Sequence, residues 1–99
     1  MALVTLKEIL KNANKSSFAV GAFDVLNFEM TAGVLQAAQE TQSPVILAYA
    51  DVFDNLFPME AFMSALRVYA EKVSVPVCIH LDHATRISVV ERAIKCGFT

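Results

Sequence analysis

The sequence has little of what several classes of protein require. Its 99 residues include no tryptophan, two cysteines, three glycines and two histidines. Two cysteines are too few for a disulfide framework, so we expect reduced thiols and a cytoplasmic protein. The longest uninterrupted apolar run, residues 45–50, is too short to cross a bilayer. Lys7 and Glu8 interrupt the N-terminal segment where a signal peptide needs an apolar core. We therefore expect no membrane partner.

A strong charge of either sign is also lacking. Lys and Arg number 8 against 10 Asp and Glu, which gives a net charge of −2. Nucleic acids and anionic membranes attract basic patches, so this balance argues against a nucleic-acid partner. Hydrophobic residues, in contrast, make up 56% of the chain, which is above the usual share for a soluble domain. The excess indicates strands that are buried on both faces, as in a parallel sheet covered by helices.

Helical and strand patterns alternate along the chain. Apolar spacing predicts helices at about residues 6–13, 28–40, 59–72 and 88–96, and strands at residues 18–23, 45–50 and 77–81. Phe98 and Thr99 resemble the approach to a fourth strand. Alternation of this kind predicts a parallel sheet with right-handed crossovers in one continuous unit. The pattern alone fits the beginning of either a doubly wound sheet or a (β/α)₈ barrel.

Several helix ends carry recognisable signals. Thr5 and Glu8 have the spacing of a capping box, and Asn27 can cap the second helix. Residues 14–17 are typical of a turn. The last helix has two candidate starts, Ser88 by capping-box spacing and Thr85 as the alternative. Gly97 is expected to end that helix in the left-handed conformation.

Polar side chains follow each predicted strand, at the end where parallel α/β proteins carry their functional residues. They are Asp24 with Asn27, Asp51 with Asp54 and Asn55, and Asp82 with His83. Loops are commonly polar, so the middle cluster is interpreted as ordinary loop composition.

The third cluster is more specific. Alternation along the strand places Cys78, His80 and Asp82 on one face, opposite three apolar residues. His83 lies one residue past the strand, where its ring can turn over the mouth of the sheet. Imidazole is the commonest side-chain metal ligand, and a neighbouring carboxylate can move protons. The pattern is therefore compatible with a metal-assisted or acid–base site at this strand end, although spacing alone does not select that interpretation.

Other interpretations of these residues remain open. His80 fits a core histidine bonded to the backbone, or a residue that orients a metal ligand from behind. Asp82 fits a loop cap, and His83 fits an exposed surface residue. A catalytic zinc has three protein ligands, whereas this chain offers two histidines and a strand cysteine. A complete metal site would need ligands from elsewhere.

Residues 75–84, Val-Pro-Val-Cys-Ile-His-Leu-Asp-His-Ala, resemble the first signature of the class II fructose-bisphosphate and tagatose-bisphosphate aldolases. That signature is an apolar strand followed by His-x-Asp-His and a small residue. Residues 22–29, 43–48 and 93–99 resemble the family's first strand end, its second strand and the helix that leads to its fourth strand. The resemblance implies a partial TIM (β/α)₈ barrel with an N-terminal helix and the first three βα units. Residues 1–99 would then be the N-terminal part of a single barrel domain.

The resemblance also implies an activity. The complete protein would use a divalent metal, usually zinc, to cleave fructose or tagatose 1,6-bisphosphate to dihydroxyacetone phosphate and glyceraldehyde 3-phosphate. His83 matches a metal ligand, Asp82 the catalytic acid/base and Asn27 a residue near the substrate, while His80 would support the ligands. The implied partners are a phosphosugar and further copies of the chain, in a dimer or tetramer. We expect the 99-residue chain alone to be inactive.

Two positions depart from the family pattern. Asp24 stands where members often have asparagine, and Ala50 stands where many carry a serine or threonine that contacts a substrate phosphate. An alanine cannot make that bond. The alternative hypothesis is a non-catalytic, aldolase-like half-barrel module that self-associates.

Overall fold

The computed structural model describes residues 3–99, which form helices and strands in the predicted alternating order. The helices are α1 Leu6–Ser16, α2 Phe28–Glu40, α3 Met59–Ala70 and α4 Ile87–Cys96, and the strands are β1 Gly21–Asp24, β2 Val45–Tyr49 and β3 Val77–Leu81. A short 3₁₀ helix, Asp51–Phe53, follows β2. Within residues 3–99, none of the helices has the length and apolar character needed to span a membrane.

The three strands form a parallel sheet in the order β1-β2-β3. The central strand β2 is buried along its whole length, as its continuous apolar run predicts. The register places Asp24, Ala48 and His80 in one row across the sheet. Because all strands are parallel, their carboxyl ends meet at the same edge.

The sheet has one core on each face. On one face, Tyr49 of β2 stacks on Phe62 of α3 with ring centroids 5.0 Å apart, inside a large cluster that also takes in α2 and α4. On the other face, Ile9 of α1 covers Ile46 and Cys78. The alternation predicted along β3 is thus confirmed, with Cys78 on the face opposite the main helical core.

The predicted capping box at Thr5 and the predicted helix stop at Gly97 are both present. Glu8 N–H donates to Thr5 Oγ1 at 3.2 Å, and Thr5 N–H donates back to Glu8 Oε2 at 2.8 Å. Gly97 ends α4 with a φ of 96°. The predicted turn at residues 14–17 is largely wrong, because α1 continues to Ser16 and ends where Ser17 adopts a left-handed φ of 57°.

The prediction for the first strand was wrong in two respects. β1 begins at Gly21 rather than at Phe18, and its residues are exposed rather than buried. The exposure follows from position, because β1 lies at an edge of the sheet and, within residues 3–99, neither core cluster includes one of its residues. Phe23 is accordingly 52% exposed. Sequence composition alone does not distinguish an edge strand from a central one.

Both proposed starts of the last helix were also wrong. α4 begins after Arg86, which makes no side-chain capping bond. Thr85 instead donates its backbone N–H to Asp51 Oδ2 at 3.0 Å, across 34 residues of sequence. A long-range contact has replaced the local cap that Thr85 or Ser88 would have provided.

The outer edge of β3 is partly occupied by the two ends of the chain. Val4 N–H donates to Val77 O at 2.8 Å. Thr99 N–H donates to Ile79 O at 3.0 Å, and Ile79 N–H donates to Thr99 Oγ1 at 2.9 Å. Thr99 therefore lies where a further strand would pair with β3, as expected from the sequence.

Arg92 on α4 joins three parts of the chain. Its guanidinium donates to Asp54 Oδ2 at 2.7 Å and to Glu60 Oε1 at 2.6 Å. Asp54 Oδ1 also accepts the N–H of Met59 at the start of α3, at 3.0 Å. The hydrogen bonds from Arg92 are the main cause that lowers the pKa of Asp54. The cluster fixes the loop after β2 against two helices.

We expect Arg92→Met to lower the free energy of unfolding at neutral pH by about 1 kcal/mol, allowing for solvent screening of this partly exposed cluster. Because the folded-state pKa of Asp54 is depressed, its contribution is present above the ordinary aspartate pKa of about 4. That contribution is lost as the pH falls through the lower, folded-state value. The deficit of the variant should therefore shrink on acidification, as measured by urea unfolding over a series of pH values.

Lys95→Met is the matched control, since it removes an exposed cation from the same helix. Its effect should be within about 0.5 kcal/mol of zero. An Arg92→Met deficit that is independent of pH, or that Lys95→Met reproduces, would contradict the assigned role of the cluster.

Candidate functional site

A cavity of about 510 Å³ opens at the carboxyl ends of the strands. Its lining residues come from all three strands and their ends: Ala22, Phe23, Asp24, Ala48, His80 and Asp82. Ala48 lies between Asp24 and His80 in the register row, and its single methyl group leaves the space between them open. Ile46 and Cys78 lie two residues before Ala48 and His80 on the same strands, and they close the bottom of the cavity.

A larger groove of about 820 Å³ lies beside the edge strand, between β1 and α2. Its described lining is mostly apolar and contains no acidic, basic, histidine or cysteine side chain. Chemistry needs titratable or metal-binding groups, so the smaller cavity at the strand ends is the candidate site.

Asp24 and Asp82 face each other across the candidate site. Loss of hydration around the largely exposed Asp24 raises the pKa of its carboxyl group, and the Asp82 carboxyl raises it further by charge repulsion and hydrogen bonding. His83 and His80 act in the opposite direction and lower it. The sequence alone did not indicate that Asp24 and Asp82 would meet.

Asp82 and His83 form a pair at the end of β3. His83 Nε2 lies 3.2 Å from Asp82 Oδ1, and the His83 side chain is 88% exposed against 32% for Asp82. His83 has a φ of 67°, a left-handed conformation that is uncommon outside glycine. Asp82 N–H donates to Tyr49 O at 2.8 Å, which ties this strand end to β2. His83 thus lies beside Asp82 at the end of β3, and the described lining of the cavity does not include it.

His80 lies on the cavity wall rather than in the core. It is half-buried and shares the register row with Asp24 and Ala48. Among residues 3–99, its side chain makes no hydrogen bond to the backbone, so the interpretation as a backbone-bonded core histidine is wrong. His80 instead lines the cavity together with Asp24 and Asp82.

Asn27 acts as the cap of α2. Its Oδ1 accepts the N–H of Met30 at 2.8 Å, and its carbonyl accepts the hydroxyl of Thr31 at 2.9 Å. The cap therefore occupies the amide oxygen. The exposed side-chain amide nitrogen is not required for capping and can donate to a ligand.

Metal-binding capacity within the described chain is partial. Residues 3–99 contain no group of three His, Cys, Asp or Glu side chains placed to hold a metal ion. Cys78 is fully buried, and burial raises the pKa of its thiol, which disfavours the thiolate that a metal requires. The donor best suited to a metal is the exposed imidazole of His83. Because Asp82 contacts its Nε2, Nδ1 is left for coordination.

The middle polar cluster has structural roles, as its interpretation as ordinary loop composition implies. Asp51 holds Thr85, and Asp54 binds Arg92 and the start of α3. These contacts position the loops around the site.

Comparison with known proteins gives a consistent result. The family described as Fructose-bisphosphate aldolase class-II matches residues 4–99. The chain is 41% identical to the 6-phospho-5-dehydro-2-deoxy-D-gluconate aldolase of Halalkalibacterium halodurans, covering 100% of this chain and 35% of that protein. It is 40% identical to a probable fructose-bisphosphate aldolase of Bacillus subtilis, covering 100% of this chain and 36% of the relative.

A solved structure shares the fold. The crystal structure of the YdjI aldolase from Escherichia coli K12 superimposes with a TM-score of 0.89 at 31% identity, over 97% of this chain and 38% of that one. The chain thus spans about a third of the length of the curated relatives that it matches. Its α/β arrangement is part of the TIM barrel of these aldolases, as predicted. The chain belongs to the class II fructose-bisphosphate aldolase family.

Proposed function

We propose that this chain belongs to a metal-dependent aldolase that cleaves a ketose 1,6-bisphosphate, of the fructose or tagatose type, to dihydroxyacetone phosphate and glyceraldehyde 3-phosphate. The observation that carries the proposal is the Asp82–His83 pair, which lies at the strand ends of a class II aldolase fold. In this proposal residues 1–99 are the N-terminal part of a single barrel domain and are inactive alone, because three metal ligands are not found among residues 3–99.

His83 is the proposed metal ligand in this chain. Its exposed ring fits a divalent cation, with zinc as the first candidate, and Asp82 orients the ring through Nε2. A bound metal would supply positive charge that stabilises negative charge developing on substrate oxygens. The remaining ligands would come from outside the described residues.

Asp82 is the proposed acid/base. In the cleavage direction its carboxylate takes the proton of the substrate's C4 hydroxyl as the C3–C4 bond breaks. The electron pair of that bond passes to C3 of the dihydroxyacetone phosphate portion, which takes up a proton from a donor outside the described residues, and C4 becomes the aldehyde carbon. In condensation the carboxyl returns the proton to the aldehyde oxygen. Its place on the cavity wall, two-thirds buried, suits a group that must reach substrate while partly shielded from water.

Two further residues have proposed supporting roles. His80 lines the cavity together with Asp82 and would hold the Asp82 carboxyl in position. Asn27 would donate its amide N–H to a substrate hydroxyl or phosphate while its oxygen caps α2. We further propose a cytoplasmic enzyme that acts on a phosphosugar and assembles as a dimer or tetramer. The names of the H. halodurans and B. subtilis relatives support this class, because each specifies a phosphorylated sugar or sugar acid.

The alternative function, a non-catalytic module that self-associates, has one supporting observation. The outer edge of β1 is unpaired within residues 3–99, and Phe23 beside it is exposed. Unpaired edges invite pairing with another chain. Catalysis by the purified product of the complete gene distinguishes the two functions, because the module requires none.

We expect the product of the complete gene to contain bound metal and to cleave a ketose 1,6-bisphosphate. Asp82→Asn should lower kcat by roughly 10²- to 10⁴-fold with metal retained, since it removes the base but keeps the shape. His83→Ala should lose metal and activity together. Metal is measured by elemental analysis, and cleavage by a coupled assay for dihydroxyacetone phosphate.

Asp51→Asn is the matched control, because it removes a carboxylate at the neighbouring strand end while an amide oxygen can still accept from Thr85. It should leave kcat and metal content nearly unchanged. A folded, metal-free wild-type protein that cleaves no phosphorylated ketose would refute the proposed function.

Substitutions at Asn27 separate capping from substrate contact. Asn27→Ala should destabilise the protein by about 1 kcal/mol through loss of the cap, whereas Asn27→Asp should retain stability. Because Asn27→Asp lacks the amide donor, it should raise KM while the unfolding midpoint stays the same. Unchanged steady-state kinetics in Asn27→Asp would show that Asn27 acts only as a helix cap and does not contact the substrate.

A further inference from the structure

The left-handed turn at His83 needs an anchor outside its own loop. His83 has a φ of 67°, and a residue that carries a Cβ keeps such a conformation only where neighbouring contacts enforce it. Within residues 3–99, the one polar partner of the His83 ring is the Asp82 carboxylate, 3.2 Å away. Asp82 belongs to the same loop, so this contact does not fix the turn relative to the sheet.

Asp51 supplies such an anchor at two points. It begins the 3₁₀ helix after β2, and its backbone N–H donates to His83 O at 3.4 Å. Its side-chain Oδ2 accepts the Thr85 backbone N–H at 3.0 Å and the Thr85 hydroxyl at 3.3 Å. Just before the turn, Asp82 N–H donates to Tyr49 O at 2.8 Å. The residues that end β2 therefore hold the loop after β3 before, at and after His83.

The contacts of Asp51 give this residue a role in metal binding. A metal ligand must present its nitrogen at a fixed position, and the groups behind a ligand set that position. This step rests on the proposed function, in which His83 is the metal ligand. We infer that Asp51 is a positioning residue, which holds the turn at His83 in the conformation from which the imidazole binds the metal. It acts through hydrogen bonds to the loop and not through the charge of its carboxylate.

The zinc affinity of the product of the complete gene tests this inference. Asp51→Ala removes the acceptor of Thr85 and keeps the backbone N–H of residue 51, so it should raise the dissociation constant for zinc roughly tenfold or more. Asp51→Asn should retain the wild-type affinity, because its amide oxygen can still accept from Thr85. Competition with a chromogenic zinc chelator measures these constants.

Hydrogen exchange in the metal-free protein gives a second readout that does not depend on activity. The Thr85 amide should exchange faster in Asp51→Ala than in the wild type or in Asp51→Asn. Arg92→Met is the control for a general loss of stability, because the partners of Arg92 are Asp54 and Glu60 and not residues of the loop after β3. It should leave the zinc affinity nearly unchanged.

The outcomes separate this inference from the proposed function. Wild-type zinc affinity in Asp51→Ala, with zinc lost in His83→Ala, would overturn the inference alone. An equal loss of affinity in Asp51→Asn and Asp51→Ala would also overturn it, because the effect would then come from charge. Zinc binding that survives His83→Ala would refute the proposed role of His83 and the inference with it.

Thr85→Ala replaces Asp51→Ala if the latter does not fold. It removes only the hydroxyl contact with Asp51 and leaves the backbone N–H bond in place. Its zinc affinity should fall below that of the wild type, by less than is expected for Asp51→Ala. An affinity equal to that of the wild type would contradict the inference.

Discussion

The pairing of β2 between two parallel strands is the constraint on which the other features depend. β2 is buried on both faces, so its register with β1 and β3 cannot slip without moving apolar residues out of their cores. That register places Asp24, Ala48 and His80 in one row and brings Asp82 to the same edge. The small side chain of Ala48 keeps the row open, while Ile46 and Cys78 close the layer beneath. The same strand pairing thus produces both the core and the cavity.

Hydrogen bonds from the surrounding loops and helices fix the positions of the residues at this edge. Asp51 holds Thr85, and Tyr49 O accepts the N–H of Asp82, so the loop after β3 is tied to the neighbouring strand. On the outer side, Arg92 binds Asp54 and fixes the loop after β2. His83 then projects from a left-handed turn whose flanking backbone is held on both sides. The proposed metal ligand His83 and the proposed acid/base group Asp82 would need fixed placement of this kind.

Local sequence signals predicted much of this arrangement. β3 and the alternation of its two faces were read correctly, because both sides of that strand are covered. The Thr5 capping box, the Asn27 cap and the Gly97 stop were also correct, since each depends only on residues within one helical turn. The class II aldolase signature at residues 75–84 correctly indicated the family from sequence alone.

Features that depend on contacts between residues far apart in the sequence could not be predicted from local sequence signals. The exposure of β1 depends on what lies beside it, and the start of α4 depends on Thr85 binding Asp51 instead of capping the helix. The Arg92–Asp54 pair spans 38 residues. The approach of Asp24 to Asp82 follows from strand register and so was visible only in three dimensions.

The most direct test of the account is to locate the metal relative to His83. Crystals of the product of the complete gene, grown with zinc, would be measured by anomalous diffraction at the zinc edge. The account predicts a metal about 2.0–2.1 Å from a ring nitrogen of His83, at the carboxyl ends of the strands. Zinc bound elsewhere, with the His83 ring free, would contradict it.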